Sequence, residues 1–265
     1  MDRRRLGSSR PPRRKDALDL DDIIYGVHAV EEALAGDEGL RRIHVGDDRK
    51  RDPALRKLLA QAREAGVTVR FESRSFFAQF PYRAHQSVVA FGAPFEYVTL
   101  EDVLAADVPR GGRLYVVLDH ITDPHNAGAI LRSAECAGAT AAIMPERRAA
   151  GVNATVRKSA AGATAYLSVA RVANVAGALR TMKKAGVWIA GSALSDDAAD
   201  YAAADFRRDV AIVIGAEGTG ISQVVRKECD YLVRIPHFGR IESLNASVAA
   251  GILLFEARRQ RAEQK

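Results

Sequence analysis

The chain is poor in cysteine: only Cys136 and Cys229 occur in 265 residues. They lie too far apart for a CxxC metal knuckle and are too few for a disulfide framework, so the expected compartment is the cytoplasm. No apolar run is long enough to span a bilayer, and the start lacks the apolar core of a secretory signal. Its Arg/Ser/Pro-rich opening runs into the acidic "DALDLDD", which a transit peptide does not carry. A P-loop and a G-x-G-x-x-G turn are both missing, which disfavours nucleotide hydrolysis and hydride transfer. Net charge is also missing once the tail is set aside. Residues 1–15 hold seven Arg/Lys and one Asp, which supplies the whole formal charge of +6. Any basic surface on the folded body must therefore come from local clustering, with the tail a separate, salt-sensitive phosphate contact.

What is present suits two modest domains, with 48% hydrophobic residues to build their cores. Residues 1–21 read as a basic disordered tail and 22–93 as a small α/β unit. In that unit "IIYGVHAVEEALAG" opens a helix, "LRRIHVG", "VTVRFE" and "SVVAFG" are strands, and "PALRKLLAQAREAG" is a second helix. Residues 94–112, with Pro94, Pro109 and paired glycines, read as a linker with one short helix. From 113 to 265 apolar strands alternate with amphipathic helices, the pattern of a mostly parallel sheet covered on both faces. In such sheets ligands sit beyond the carboxyl ends of the strands.

Three strand ends there are unusually polar or glycine-rich: "LDHITDPHNAGAILRSA", "IGAEGTGIS" and "IPHFGRIESLN". Taken singly, each has an ordinary explanation. Asn126 and the "SLN" residues can cap helices, and the glycines around Glu217 can be turn residues. Arg132, on a helix of small and apolar residues, can be solvated or ion-paired. His120 and His125 lack the further ligands of a metal site, so no metal is expected. In the last helix Leu244, Val248, Gly251, Ile252 and Phe255 share a face, as core or as a subunit interface.

Taken in order and spacing, the segments "DHITDPHNAGAILRSAECAGA", "IVIGAEGTGIS" and "IPHFGRIESLNASVAAGILLFEARRQ" resemble the three signature motifs of the SpoU (TrmH) RNA 2′-O-ribose methyltransferases of the SPOUT superfamily. "IIYGVHAVEEAL" resembles the start of the L30e-like RNA-binding domain found in the branch that methylates a guanosine of 23S rRNA in the peptidyl-transferase P-loop. The resemblance implies a C-terminal α/β domain with a deep trefoil knot, a rare exception to unknotted chains. A homodimer, S-adenosylmethionine and an RNA substrate are implied with it, tRNA being the alternative substrate and a noncatalytic RNA-binding protein the alternative function.

By the same resemblance, Gly215, Ile235 and Leu244 match cofactor-binding positions. Asn126, Arg132, Glu217, Ser243 and Asn245 match the polar set at the reaction centre. Arg132 falls at the target ribose, either activating the hydroxyl or holding a phosphate that accepts its proton; a guanidinium normally stays protonated, which favours the second. Arg41, Arg42, His44, Arg49, Lys50 and Arg51 form a local basic cluster, read either as an RNA contact or as a solvated face.

Overall fold

The computed structural model describes residues 23–35, 40–80, 85–92, 95–108, 111–240 and 243–263. The basic tail lies outside the described residues. Among them no helix is long and apolar enough to cross a membrane.

The first unit is α/β, as expected, but it begins with a strand rather than a helix. Ile23–Tyr25 forms β1, antiparallel to β4 (Val88–Phe91). Two β-branched residues and a Tyr favour that pairing, and Gly26, at φ +91°, turns the chain into α1 (Val27–Ala35). With β2 (Arg42–Gly46), α2 (Arg56–Glu64), β3 (Thr68–Glu72) and α3 (Arg74–Phe77), the sheet runs β1-β4-β2-β3. Alternation along β2 sends Ile43 and Val45 into the core beneath α1 and α2. The opposite sheet face carries Ile23, Phe77, Phe80 and Val89.

The stretch 94–112 contributes α4 (Leu100–Ala105), opened by a reciprocal cap between Thr99 and Asp102. Leu100 and Val103 are buried against the second sheet, and Val98 bridges Ala170 at its edge. That sheet holds β5 (Leu114–Asp119), β6 (Ala141–Pro145), β7 (Ser168–Val172), β8 (Trp188–Ser192), β9 (Ala199–Asp200), β10 (Val210–Gly215) and β11 (Tyr231–Arg234). Its order is β7-β6-β5-β10-β8-β11-β9, and the pairings are parallel. Helices α5 (Pro124–Cys136), α6 (Ala154–Ala160) and α9 (Ala246–Ala262) cover one face; α4 and α7 (Val175–Lys184) cover the other. In β5, Leu114, Val116 and Leu118 point to the first layer, Tyr115 and Val117 to the second.

Two packing details fix the ends of this unit. Gly128 lets α5 touch α6, because a Cβ there would lie 2.5 Å from the Val156 carbonyl oxygen. Arg261, buried near the end of α9, donates to the carbonyls of Gly112, Arg113, Phe206 and Arg208 at 2.7–3.0 Å. It ties the last helix to the entry of β5, and burial away from water pulls its pKa down.

The sheet reverses its winding between β5 and β10. Asp119 and Gly215, their last residues, are register partners, so the loops that follow leave the sheet side by side. This is the crevice where open α/β sheets bind ligands.

Candidate active site

Gly215 ends β10 and has no room for a side chain. A Cβ would lie 2.1 Å from the Gly220 carbonyl carbon, because residues 216–220 fold back across it and close with an Ala216–Gly220 bridge. The far end of this loop is anchored by Asp119, which is fully buried. Its Oδ2 accepts the Ser222 N–H at 2.7 Å, and its Oδ1 pairs with His120 Nδ1 at 2.6 Å. The loop that carries Glu217 is thus held at both ends by the neighbouring strand.

Three of the five expected reaction-centre residues meet here. Asn126 Nδ2 donates to Glu217 Oε1 at 3.0 Å, and Asn245 Nδ2 donates to the same oxygen at 2.6 Å and to Asn126 Oδ1 at 2.8 Å. The Ala246 N–H adds a longer bond to Glu217 Oε1, at 3.4 Å. Asn245 is also the N-cap of α9: its Oδ1 accepts from the Ser247 and Val248 N–H groups at 2.9 and 3.3 Å. One side chain therefore caps with its oxygen and joins the network with its nitrogen. Asn126 is not a cap. Asp123 holds that place on α5 by accepting the His125 N–H, which leaves Asn126, 9% exposed within the helix, to the network.

Arg132 is not brought into this network. It is exposed on α5, and among the described residues no acceptor bonds its guanidinium. Ser243 is also exposed, but it lines a cleft of about 350 Å³ beside the network. Gly215, Ile235 and Leu244, the three expected cofactor positions, line that cleft with Glu217. Residues 216–221 supply backbone and small side chains along one wall, and Leu194 stands on another.

The cleft also contains groups that sequence spacing did not reveal: Arg226, Arg234 and His237. Arg226 belongs to α8 (Gln223–Arg226), and its Nη2 donates to both carboxylate oxygens of Asp197 at 2.8 and 2.9 Å. The Ser195 hydroxyl and this guanidinium hold the Asp197 carboxyl below its ordinary range. The pair joins segments far apart in the chain, so no local pattern announces it. Only the lone arginine in "SQVVRKECD" hints at it.

The apolar stripe on α9 is not core. Val248 and Phe255 are half exposed and Leu244 is 37% exposed, whereas Ala250, Leu253, Leu254 and Ala257 are buried. The helix lies so close to α5 that Gly251 sits near Ser133, and small residues suit that approach. The bulkier stripe is left outward.

On the first unit the basic cluster divides. Arg49 is bound to Asp52 and to the Gln86 carbonyl, and Lys50 pairs with Asp47 at 2.7 Å. Arg41, Arg42 and Arg51 are exposed with no ion pair among the described residues. His44 does not belong to that surface. It is 4% exposed, stacked on Phe76 at 4.6 Å and bonded to Glu72 at 3.0 Å, and burial lowers its pKa. Both cysteines are free thiols; burial pushes Cys229 up to about 12.

Residues 113–255 match the SpoU rRNA methylase family, and residues 23–98 match the substrate-binding region of RNA 2′-O ribose methyltransferases. The chain is 41% identical over 253 residues to an uncharacterized tRNA/rRNA methyltransferase of Synechocystis, covering 95% of this chain and 66% of that protein. It is 40% identical to the 23S rRNA (guanosine-2′-O-)-methyltransferase RlmB of Photobacterium profundum, covering 91% and 98%. The crystal structure of the SpoU methyltransferase AviRb from Streptomyces viridochromogenes, in complex with the cofactor AdoMet, superposes with TM-score 0.74 at 27% identity, covering 91% and 90%.

Proposed function

The chain belongs to the SpoU rRNA methylase family, and from that premise we propose that it transfers a methyl group from S-adenosylmethionine to the 2′-oxygen of a guanosine ribose in 23S rRNA. The observation that carries this reading is the meeting of Asn126, Glu217 and Asn245, from three separate segments, beside the cleft at the β5–β10 crevice.

The cleft suits the methyl donor. Its volume falls in the range of small-molecule sites. Gly215 admits a backbone fold that no side chain would allow, and Ile235 and Leu244 offer apolar surface to an adenine. When bound, the sulfonium supplies an already activated methyl group, so the protein has to align a weak oxygen nucleophile and manage one proton. Glu217 Oε1 is used by three donors, and among the described residues none bonds Oε2. That second oxygen is free to orient a hydroxyl. Ser243, which lines the cleft, would do the same.

Arg132 has no partner within the chain among the described residues, which supports a partner outside it. A substrate phosphate is the natural one, since a guanidinium binds phosphate by two parallel bonds. Arg41, Arg42, Arg49, Lys50 and Arg51 would deliver the RNA from the first unit, two of them with their charge already partly engaged. The exposed stripe of α9 would pair with a second copy, giving a homodimer, and the segment between β11 and α9 would thread the knot that the family resemblance implies.

Titration of the purified protein with S-adenosylmethionine in a calorimeter, followed by tritium-methyl transfer to unmodified 23S rRNA and to tRNA, tests the reading. Saturable uptake and transfer to 23S rRNA are expected. Transfer to tRNA alone would reassign the substrate, and no uptake would remove the function. Light scattering of the same sample reads the oligomeric state, with twice the chain mass expected.

A further inference from the structure

The segment after β11 presents an aromatic ring to solvent at the mouth of the cleft. Phe238 is 96% exposed, the most exposed large apolar side chain among the described residues. Two less exposed rings have a cation over them, Lys50 over Phe71 and Arg208 over Trp188, whereas Tyr166 and Phe255, exposed like Phe238 but away from the cleft lining, have none among the described residues. Among the described residues nothing stacks on Phe238. Its position is not arbitrary, because Ile235 and His237 before it and Ser243 and Leu244 after it all line the cleft.

The segment that carries it is basic. Residues 231–240, "YLVRIPHFGR", contain Arg234, Arg240 and His237 and no acid. Arg240 is exposed, and no carboxylate pairs with Arg234 or Arg240 among the described residues. A bare ring flanked by unpaired guanidinium groups combines the two elements that hold single-stranded nucleic acid, a stacking platform and phosphate contacts. A protein partner would call for a wider apolar surface than a single ring.

We propose that Phe238 stacks on an unpaired base of the RNA next to the target ribose, with Arg234 and Arg240 on its phosphates. It thereby holds the substrate strand across the cleft mouth. Stacking acts on RNA binding and leaves the methyl donor's site alone. The inference rests on the reading that the substrate is RNA.

The test uses the full-length protein and an unmethylated 23S rRNA transcript, with equilibrium RNA binding measured separately from methyl transfer. Phe238→Ala should weaken RNA binding and raise KM for RNA about tenfold, with S-adenosylmethionine affinity and oligomeric state unchanged. Phe238→Tyr and Phe238→Trp should restore binding, and Phe238→Leu, apolar but not planar, should not. Unchanged RNA binding in Phe238→Ala, full rescue by Leu, or a loss that follows a change in oligomeric state would overturn the proposal. Native protein that binds the transcript in a Phe238-dependent way but transfers no methyl group would sink the methyltransferase reading and leave this one standing.

Discussion

At the ends of β5 and β10, Asn126, Glu217 and Asn245 satisfy one another, whereas on the four-stranded unit Arg41, Arg42 and Arg51 reach solvent with no ion pair among the described residues. The difference follows from local geometry. Asn126 is buried and Glu217 and Asn245 are exposed. But Asn245 is fixed as the cap of α9 and Glu217 sits on a loop folded back over Gly215, so the three side chains are held within hydrogen-bond reach before any ligand arrives. An exposed guanidinium loses nothing by waiting for a phosphate. The same contrast runs along α5, which carries Asn126 in the trio and, further along, Arg132, exposed and unpaired among the described residues. Rigid groups define where the reaction happens, and unpaired ones meet the substrate.

The sharpest way to break this division is Arg132→Ala. If Arg132 acts only on the substrate, single-turnover methyl transfer should fall by about 10²–10³ while thermal stability stays put. Arg132→Lys should recover part of the rate if charge on a phosphate is what matters, and none if a specific guanidine base is required. A fall in melting temperature with Arg132→Ala would place this residue with the structural trio instead.

Gly215→Ala attacks the other side of the comparison. The added methyl meets backbone rather than a flexible side chain, so the loop must open, at a cost of about 3 kcal/mol. Calorimetry should show S-adenosylmethionine binding lost along with that stability.

A smaller effect is expected from the triple variant Arg41→Ala, Arg42→Ala, Arg51→Ala. RNA affinity should drop and the slope of log affinity against log salt should shrink by roughly 2, about 0.7–0.9 per phosphate contact given up. The melting temperature should not move. An unchanged slope would make this a solvated face.

The smallest concerns His44, whose folded pKa is lowered by burial from 6.5. A lowered pKa means the neutral form is the folded one. Its contribution is therefore complete above 6.5 and is lost as pH falls through the folded value. Melts of native protein and His44→Gln at pH 8 and pH 5.5 should show the native protein losing more on acidification. Equal losses would contradict the assignment.

Much of this was legible from residue order. Apolar strands alternating with amphipathic helices pointed to the parallel sheet, and the polar and glycine-rich strand ends pointed to the crevice. The misreadings share a physical cause. "IIY" runs directly into an amphipathic pattern, and only its pairing with β4 makes it a strand. His44 sits among arginines in sequence, yet alternation along β2 turns it toward Phe76 and Phe91. Asn126 was open to a capping role until Asp123 proved to hold it. Asp119 anchors a loop about a hundred residues later through one hydrogen bond, and no periodicity in the chain encodes such a bond. Helical spacing correctly grouped the stripe on α9, but whether it faced inward depended on how closely α5 approaches.

The most direct test of the account is to incubate the native protein with labelled S-adenosylmethionine and unmodified 23S rRNA, then digest the product with alkali. The account predicts label in a single alkali-resistant dinucleotide, with the methyl on the 2′-oxygen of a guanosine. Label on a base, or none on the RNA, would contradict it.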